Sequence, residues 1–472
     1  MMPGNPRYQP KELVPFFGYD NLVGWMAQVE IAGLNTLGRS GIIPPEDFEL
    51  LTDEVIKKVG AIPTSEVDRV ESEKTKHDVR AWVLLAKEVL PEKLHRWVHV
   101  PYTSYDALDT GRSLMFIRAY RDVIKPKTRE VIRLMAGLVE KFATQVQIGR
   151  THGQHALPIT VGFWLATILS RVMANYEMLQ LHSEHLVGKI SGAVGAYNAQ
   201  VALGFDDARS LHSAHTFEQL ILDSLGLPAA RISTQILPPE PLAYFLHACA
   251  MMSATFGQFG RDCRHLMRSE IGEIAEEFES GQVGSSTMAH KRNPISFENL
   301  EGMWLRTKNE YGKVFDTLLS EHQRDLVGSS VYRDFPIIPI NLTVQLNTLL
   351  RKNKAGVPFL SRITVSKDAC EANLKTSAAF VLAEPIYIAL QMAGYPHDAH
   401  KLINEQAMAV AKEQKIVLFE ALYVLAEKDF ELDEALSRIP QSMRNDFYYP
   451  ERYVGKAREK ALEIVALARE LL

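Results

Sequence analysis

The sequence predicts an all-α fold with a central bundle of long helices, because strand signals are scarce and long helical windows dominate. Proline is absent from Leu242 to Asn293 and from Ile295 to Phe335, and residues 163–187 contain neither glycine nor proline. Windows of this length exceed the three or four turns of an average helix and are typical of bundles. In residues 117–142, apolar side chains recur at spacings of three and four, which predicts one buried stripe. Pro126 should kink or break that helix.

Proline and polar residues divide the chain into three parts. The helical pattern is interrupted near residues 91–109 and again near residues 336–358. We therefore expect an N-terminal helical domain at 1–108, a central long-helix bundle at 109–362 and a C-terminal helical domain at 363–472.

Composition restricts the class of protein. The 472 residues include 52 Lys and Arg against 57 Asp and Glu, a formal net charge of −5, so no basic excess points to nucleic acid as a partner. The three cysteines are far apart, which predicts a reducing, cytoplasmic setting without a disulfide framework or a thiolate zinc site. The uncharged stretch Pro241 to Gly260 carries His247 and Gln258, so we expect a buried helix there and no membrane span. The first 20 residues have no apolar core of signal-peptide length.

The most specific segment lies between two helical windows and reads Gly284-Ser285-Ser286-Thr287-Met288-Ala289-His290-Lys291-Arg292-Asn293-Pro294. Glycines at 281 and 284 permit backbone conformations that other residues resist. Hydroxyls, a cation and an amide on such a loop are suited to closing over an anionic substrate. A polar linker between helices would have a similar composition.

This segment resembles the signature G-S-S-x-M-P-x-K-x-N-P of the fumarase/aspartase superfamily. Seven of its eight fixed positions are present, and the exception is Ala289, where the family has proline. Thr103-Ser104-Tyr105-Asp106 resembles the first family region, and Gly149 to Ala156 resembles the second.

Within that superfamily, the details resemble the adenylosuccinate lyase branch over residues 7 to about 340. The last 110 or so residues match only in being helical. The segments that carry the resemblance are Arg7-Tyr8, Lys76-His77-Asp78-Val79, Gly188 to Gly195, Thr234-Gln235, Arg324-Asp325, Ser329-Ser330 and Arg333. Tyr105 departs from the branch, which has serine there.

The resemblance implies a β-elimination that needs no cofactor. A base removes a proton beside a carboxylate, the C–N bond breaks, and cations and N–H donors stabilise the doubly charged intermediate. By family analogy Ser285 is the base, assisted by Lys291, and His152 is the general acid, oriented by Glu298. Thr103 and Ser104 would grip the succinyl carboxylates together with Lys291 and Asn293, and the same pair suits a helix N-cap ahead of Asp106.

Substrate choice would depend on a phosphate grip, since arginine forks suit phosphate geometry. The resemblance assigns this grip to Arg7, Tyr8, Arg324, Ser329 and Arg333. It places Gln235 near the scissile bond, and adds His77, Asp78 and Thr151 to the substrate-binding set. The implied substrate is a succinyl-amino nucleotide: adenylosuccinate, and also SAICAR, would lose fumarate. In the resembled family the active protein is a homotetramer whose sites take their three regions from three chains.

Other site types do not match the sequence. The pairs His152/His155, His182/His185 and His212/His215 lack the H-E-x-x-H arrangement of a zinc helix, so we expect no metal. Gly192 and Gly195 are not part of a G-x-G-x-x-G after a strand, so close backbone approach explains them better than dinucleotide binding.

Two alternatives remain open. One is a sister lyase or cycloisomerase of the same superfamily, of the 3-carboxymuconate cycloisomerase or nitrosuccinate lyase type; Ala289 and Tyr105 make it reasonable, and the set of arginines argues against it. The other is a non-catalytic structural protein on this scaffold, against which the joint presence of Ser285, Lys291 and His152 argues.

Overall fold

The computed structural model describes residues 1–205, 216–277, 288 and 290–472, and helices dominate these residues, as the sequence predicts. Helices of eight residues or more, numbered in chain order, are α1 (Leu22–Arg39), α2 (Asp53–Gly60), α3 (Asp78–Val89), α4 (Ser104–Ala119), α5 (Lys125–Lys141), α6 (Val161–Glu184), α7 (Phe217–Leu225), α8 (Glu240–Leu266), α9 (Ile295–Asp316), α10 (Ile337–Leu350), α11 (Lys367–Ser377), α12 (Ala383–Met392), α13 (Leu418–Ala426), α14 (Phe430–Arg438) and α15 (Ala457–Leu471). Short antiparallel pairs join β1 (Val146–Thr151) to β2 (Gln154–Thr160) and β3 (Ile274–Ala275) to β4 (Thr364–Val365).

Two helix ends illustrate how local chemistry sets the bounds. The run that begins with α4 is interrupted by a π-helical turn, Tyr120–Ile124, and Pro126 follows in the first turn of α5. Proline has no N–H to donate to the carbonyl of the fourth residue before it, so the regular helical hydrogen bonds are interrupted there, as expected. The proline-free window after Leu242 is longer than its helix, because α8 ends at Leu266 and Gly272 has a φ of +61°.

The chain forms two compact units, each assembled from three segments. Unit 1 contains residues 1–129, 174–258 and 299–349, and unit 2 contains residues 130–173, 259–298 and 350–472. The expected three-part division at residues 108 and 362 stays a prediction.

Unit 1 has an aromatic core. The rings of Phe17, Phe116, Tyr120 and Phe245 are all buried and lie 5.5–6.1 Å apart in tilted or edge-on pairs. These geometries suit the aromatic quadrupole and add to the stabilisation from burial. They fix the C-terminal end of α4 and the π-helical turn against α8.

A buried ion pair lies beside this core. The Lys189 ammonium donates to the Asp106 carboxylate, and both side chains are fully buried. The same carboxylate accepts the backbone N–H groups of Thr103, Ser191 and Gly192. Since an unpaired charge is very unfavourable in such surroundings, these donors are what allow Asp106 to be buried.

A second ion pair joins a buried carboxylate to the half-buried His99, which precedes α4. Nδ1 of His99 lies 2.6 Å from Oε1 of Glu30, whose side chain is 1% exposed. Burial would lower the pKa of His99, but the hydrogen bond and charge of Glu30 outweigh it and raise the pKa above the usual value. Burial raises the pKa of Glu30 as well, against the opposing contribution of His99. The folded pair therefore holds its proton more tightly than the unfolded chain does.

Unit 2 has its own aromatic core and a separate C-terminal cluster. Phe297 packs on Phe259 and Phe359 with ring centroids 6.3 and 5.7 Å apart. The C-terminal cluster is built on Phe419, Leu422 and other buried apolar residues of α12–α14. Among the residues that the structure describes, no helix is long and apolar enough to cross a membrane.

We predict that Lys189→Met destabilises unit 1 by roughly 3–5 kcal/mol, because it leaves the buried Asp106 carboxylate without its counter-ion. Urea unfolding followed by circular dichroism measures the change. The matched control is Lys58→Met, which removes an ion pair with Glu54 whose side chains are 62% and 77% exposed. The control should hardly change the midpoint. Equal, small changes in both variants would contradict a structural role for the buried pair.

The Glu30–His99 pair predicts a pH dependence of stability. A histidine whose folded pKa is raised contributes stability that is complete below its unfolded value of about 6.5 and is lost as pH rises through the folded pKa. The melting temperature of the unmodified protein should therefore exceed that of His99→Gln most at pH 5.5–6.5, and the difference should shrink towards pH 9. Glu30→Gln should flatten the profile in the same way. A difference that grows with pH would contradict this assignment.

Candidate active site

His152 lies at the tip of the hairpin that β1 and β2 form in unit 2. Thr151 pairs with Gln154, so the turn between the strands consists of His152 and Gly153, with φ of +54° and +74°. Two successive positive φ values define a type I′ turn, which matches the twist of a tight hairpin. Both Thr151 and His152 are exposed there, so the imidazole is presented to solvent.

The C-terminal part of the signature segment precedes α9. The exposed Lys291 and the half-buried Asn293 line a cavity of about 850 Å³ together with Arg264 and Arg268. This concentration of cationic side chains favours an anionic ligand. Ser285 and Ala289 lie outside the described residues.

A buried carboxylate caps α9. Oε1 of Glu276 accepts the N–H groups of Ser296 and Phe297 at 2.8 and 3.0 Å. Burial raises the pKa of Glu276, and these N–H donors oppose the rise. The cap fixes the first turn of α9, where Glu298 is exposed; within one chain Glu298 and His152 make no hydrogen bond with each other.

Thr103 and Ser104 begin α4 in unit 1. The Thr103 N–H donates to Oδ2 of Asp106 at 2.8 Å in a capping box, which confirms the N-cap expected from the sequence. Because Asp106 is also held by Lys189, the two hydroxyls lie on a helix end that is anchored to the core.

Arg324 is held beside this helix end. Its guanidinium carbon lies 3.6 Å from the ring centroid of Tyr105, the neighbour of Ser104. Nη1 of Arg324 donates to Oε1 of Gln235 at 2.8 Å. The structure therefore brings together hydroxyls, an amide and an ordered cation. From the sequence, Arg324 is expected at the phosphate, whereas Thr103 and Ser104 are expected at the carboxylates. Tyr105 was noted only because the resembled branch has serine there, and its contact with Arg324 was missed.

The 188–195 segment supports the same cluster. The hydroxyls of Ser191 and Ser233 lie 2.7 Å apart, and Ser233 is two residues before Gln235. Gly195 has a φ of +75°, and a Cβ there would lie 2.1 Å from the Ser233 carbonyl oxygen. This confirms close backbone approach at Gly195. At Gly192 the expectation is wrong, because a Cβ there would meet nothing within 4 Å and the φ of +80° is what favours glycine.

His77 is the N-cap of α3. Its Nδ1 accepts the N–H of Arg80 at 3.4 Å, and in a neutral ring this leaves the proton on Nε2. The neighbouring Asp78 lines a cavity of about 790 Å³ with Arg333, Arg112 and Tyr19. A hydrogen bond to Asp68 raises the pKa of Tyr19 to about 12, so this phenol stays protonated at neutral pH.

The remaining predicted phosphate contacts lie in short 3₁₀ turns. Arg7 is exposed in a short 3₁₀ turn, Pro6–Tyr8, and the guanidinium of Arg306 lies 4.9 Å from the Tyr8 ring. Ser329 ends another 3₁₀ turn, Val327–Ser329. Among the described residues, no group of three or more His, Cys, Asp and Glu could hold a metal ion.

Comparison with known proteins identifies the family. A family model described as a lyase matches residues 49–307. An adenylosuccinate lyase of Archaeoglobus fulgidus is 30% identical over 99% of this chain and 98% of its own length. One from Pyrococcus horikoshii is 31% identical over 98% and 97% of the two chains.

Solved structures agree on the fold. A 3-carboxy-cis,cis-muconate lactonizing enzyme from Pseudomonas putida superposes with a TM-score of 0.79, at 23% identity over 98% of each chain. A fumarate lyase from Mesorhizobium sp. BNC1 gives 0.77, at 22% identity over 98% of this chain and all of that one. The chain is therefore a lyase with the fumarase/aspartase fold, and it belongs to the family that contains the adenylosuccinate lyases.

Proposed function

We propose that the chain eliminates fumarate from a succinyl-amino nucleotide, converting adenylosuccinate to AMP and SAICAR to AICAR. The observation that carries the proposal is the cluster in which Arg324, stacked on Tyr105 and bonded to Gln235, lies next to the helix end of Thr103 and Ser104. The Arg324 guanidinium suits the nucleotide phosphate, and the hydroxyls of Thr103 and Ser104 suit the carboxylates of the succinyl group. Full-length similarity to adenylosuccinate lyases supports the nucleotide part.

The chemistry divides between acid and base groups. In the proposal Ser285 removes the proton beside a carboxylate, and Lys291 and Asn293 stabilise the charge that develops on it. His152 then protonates the nitrogen as the C–N bond breaks, with Glu298 orienting its ring. The exposed position of His152 at a hairpin tip supports this role, because the imidazole can reach a bound substrate.

The nucleotide would extend towards the cavity of about 790 Å³. Its volume is within the range of small-molecule sites, and Asp78 and Arg333 supply a hydroxyl acceptor and a phosphate donor. Arg7, Tyr8, Ser329, His77 and Thr151 complete the proposed binding set. The three buried, unpaired cysteines support a cytoplasmic setting, and the proposal requires no cofactor.

We also propose a homotetramer. Six large apolar side chains along α6, α8 and α9 are between 43% and 58% exposed: Met178, Leu181, Tyr244, Met251, Leu305 and Phe315. A stripe of this kind is unfavourable in water and supports burial against further copies of the chain. In that assembly the three motif regions of each site come from three chains.

We predict that the purified protein releases fumarate from adenylosuccinate and that AMP competes. Arg324→Ala should raise KM and weaken AMP competition together, because losing a charge-assisted contact typically costs a few kcal/mol. Arg452→Ala is a matched control, since Arg452 lies 4.3 Å from the Tyr449 ring in the C-terminal part of unit 2. If AMP never competes with the unmodified protein, a nucleotide substrate is excluded and a sister lyase becomes the better-supported function.

The shared site predicts complementation between inactive variants. His152→Ala and Ser285→Ala should each lose at least ~100-fold in turnover, the scale of a missing acid or base. Unfolded and refolded together, they should recover part of the activity, because mixed tetramers contain some sites with neither lesion. Mass spectrometry of the refolded protein verifies mixing. Mixed tetramers without recovered activity would place both residues in one chain's site.

A further inference from the structure

The hairpin that carries His152 is anchored by one buried carboxylate. Glu273 is fully buried and accepts four hydrogen bonds. Nη1 and Nη2 of Arg150 approach its two oxygens at 3.0 and 2.7 Å, and Nε2 of Gln147 donates at 2.6 Å. The side chains of Gln147 and Arg150 therefore tie β1 to Glu273, which lies outside the hairpin.

The fourth donor comes from the C-terminal segment. Nδ2 of Asn373 on α11 donates to Oε1 of Glu273 at 2.7 Å and to the Ile271 carbonyl at 2.9 Å. At the end of the same helix, the Ser377 hydroxyl lies 2.7 Å from Nδ1 of His155, the residue paired with Arg150. Both strands are thus attached to α11, one directly and one through Glu273.

The turn itself is strained. His152 has a φ of +54°, a region that non-glycine residues seldom occupy. Such a conformation persists only where the surrounding structure fixes it, and a two-stranded hairpin is at best marginally stable alone. Contacts along the two strands must therefore supply the constraint that keeps the imidazole in place.

We propose that Glu273 is a positioning residue for His152, acting through Arg150 and Gln147 and braced by Asn373 of α11. This rests on the proposed function, in which His152 is the general acid. It gives the C-terminal segment a task in catalysis, although that segment carries none of the motif residues.

Burial of the neighbouring groups fits this assignment. His155 lies beside Arg150, and burial together with the Arg150 charge lowers the pKa of His155. Glu273 is the only carboxylate bonded to Arg150 in the described residues. The Arg150 fork is thus directed wholly to Glu273 and to the backbone of its own strand.

The test uses Asn373→Ala and Arg150→Lys in the full-length protein. Asn373→Ala removes one brace, and Arg150→Lys keeps the charge but loses the two-pronged contact. Each should lower kcat roughly 10- to 100-fold, the scale of an imprecisely placed catalytic group, with KM within about twofold of the unmodified value. Thr376→Ala is the control, since among the described residues the Thr376 hydroxyl bonds only within α11, to the Ala372 carbonyl. Unchanged kcat in both variants, or a change in KM alone, overturns the proposal.

A double-mutant cycle separates positioning from general damage. In the His152→Ala background, Asn373→Ala and Arg150→Lys should cause no further loss of kcat, because they act through the missing imidazole. Losses that multiply show that the carboxylate acts elsewhere, and they overturn the proposal. Glu273→Gln is the most severe variant. If it does not fold, the milder variants Asn373→Ala and Arg150→Lys decide whether the proposal holds.

Hydrogen exchange provides a readout that does not depend on turnover. Amides of residues 146–160 should exchange at least ~10-fold faster in Asn373→Ala and Arg150→Lys than in Thr376→Ala. If the unmodified protein releases no fumarate, the proposed function fails while this measurement still tests the anchor. Unchanged exchange in an active enzyme overturns the anchor alone.

Discussion

Buried carboxylates that need hydrogen-bond donors organise the motif-bearing segments of each unit. Moving an ionised carboxyl group out of water is so unfavourable that the surrounding chain must supply several donors. In unit 1, Asp106 collects the Lys189 ammonium and the N–H groups of Thr103, Ser191 and Gly192. In unit 2, Glu273 and Glu276 collect donors from the hairpin and from the start of α9. Each carboxylate thereby fixes segments that are distant in sequence, and the motif residues lie on those segments.

Tyr105, where the resembled branch has serine, orders the side chain of Arg324. A free arginine side chain must lose rotamer freedom when it binds an anion, whereas Arg324 is already ordered by an aromatic face and by Gln235. Serine at position 105 could not offer that face. The aromatic residue therefore changes how the cation is held without removing any of the donors that the family signature specifies.

The sequence predicted what depends on local pattern. Long helices followed from apolar periodicity and missing prolines, and the N-cap at Thr103 followed from residue type. The β1–β2 hairpin was missed, because Gln147 and Arg150 interrupt any alternation and their partner Glu273 lies 126 and 123 residues away. The Arg324–Gln235 bond spans 89 residues and has no local signal either. Family resemblance supplied motif residues, Asp106 among them, yet it gave no hint of Glu273 and Glu276.

Backbone strain marks the same segments independently. Left-handed φ angles at non-glycine residues are unfavourable, so they persist only where surrounding contacts fix them. Among the described residues they occur at Lys76, His99, His152, Tyr197, His322 and Lys415. Lys76 immediately precedes His77, His99 precedes the Thr103 cap, and His152 is the proposed general acid. Tyr197 follows the 188–195 segment, and His322 precedes Arg324. Only Lys415, at the end of a short C-terminal helix, is remote from every motif. Three of these residues have a local cause, because Lys76 and Lys415 end helices in the left-handed conformation and His152 lies in a type I′ turn. Residue type alone does not reveal such positions, since each φ depends on the element in which the residue lies.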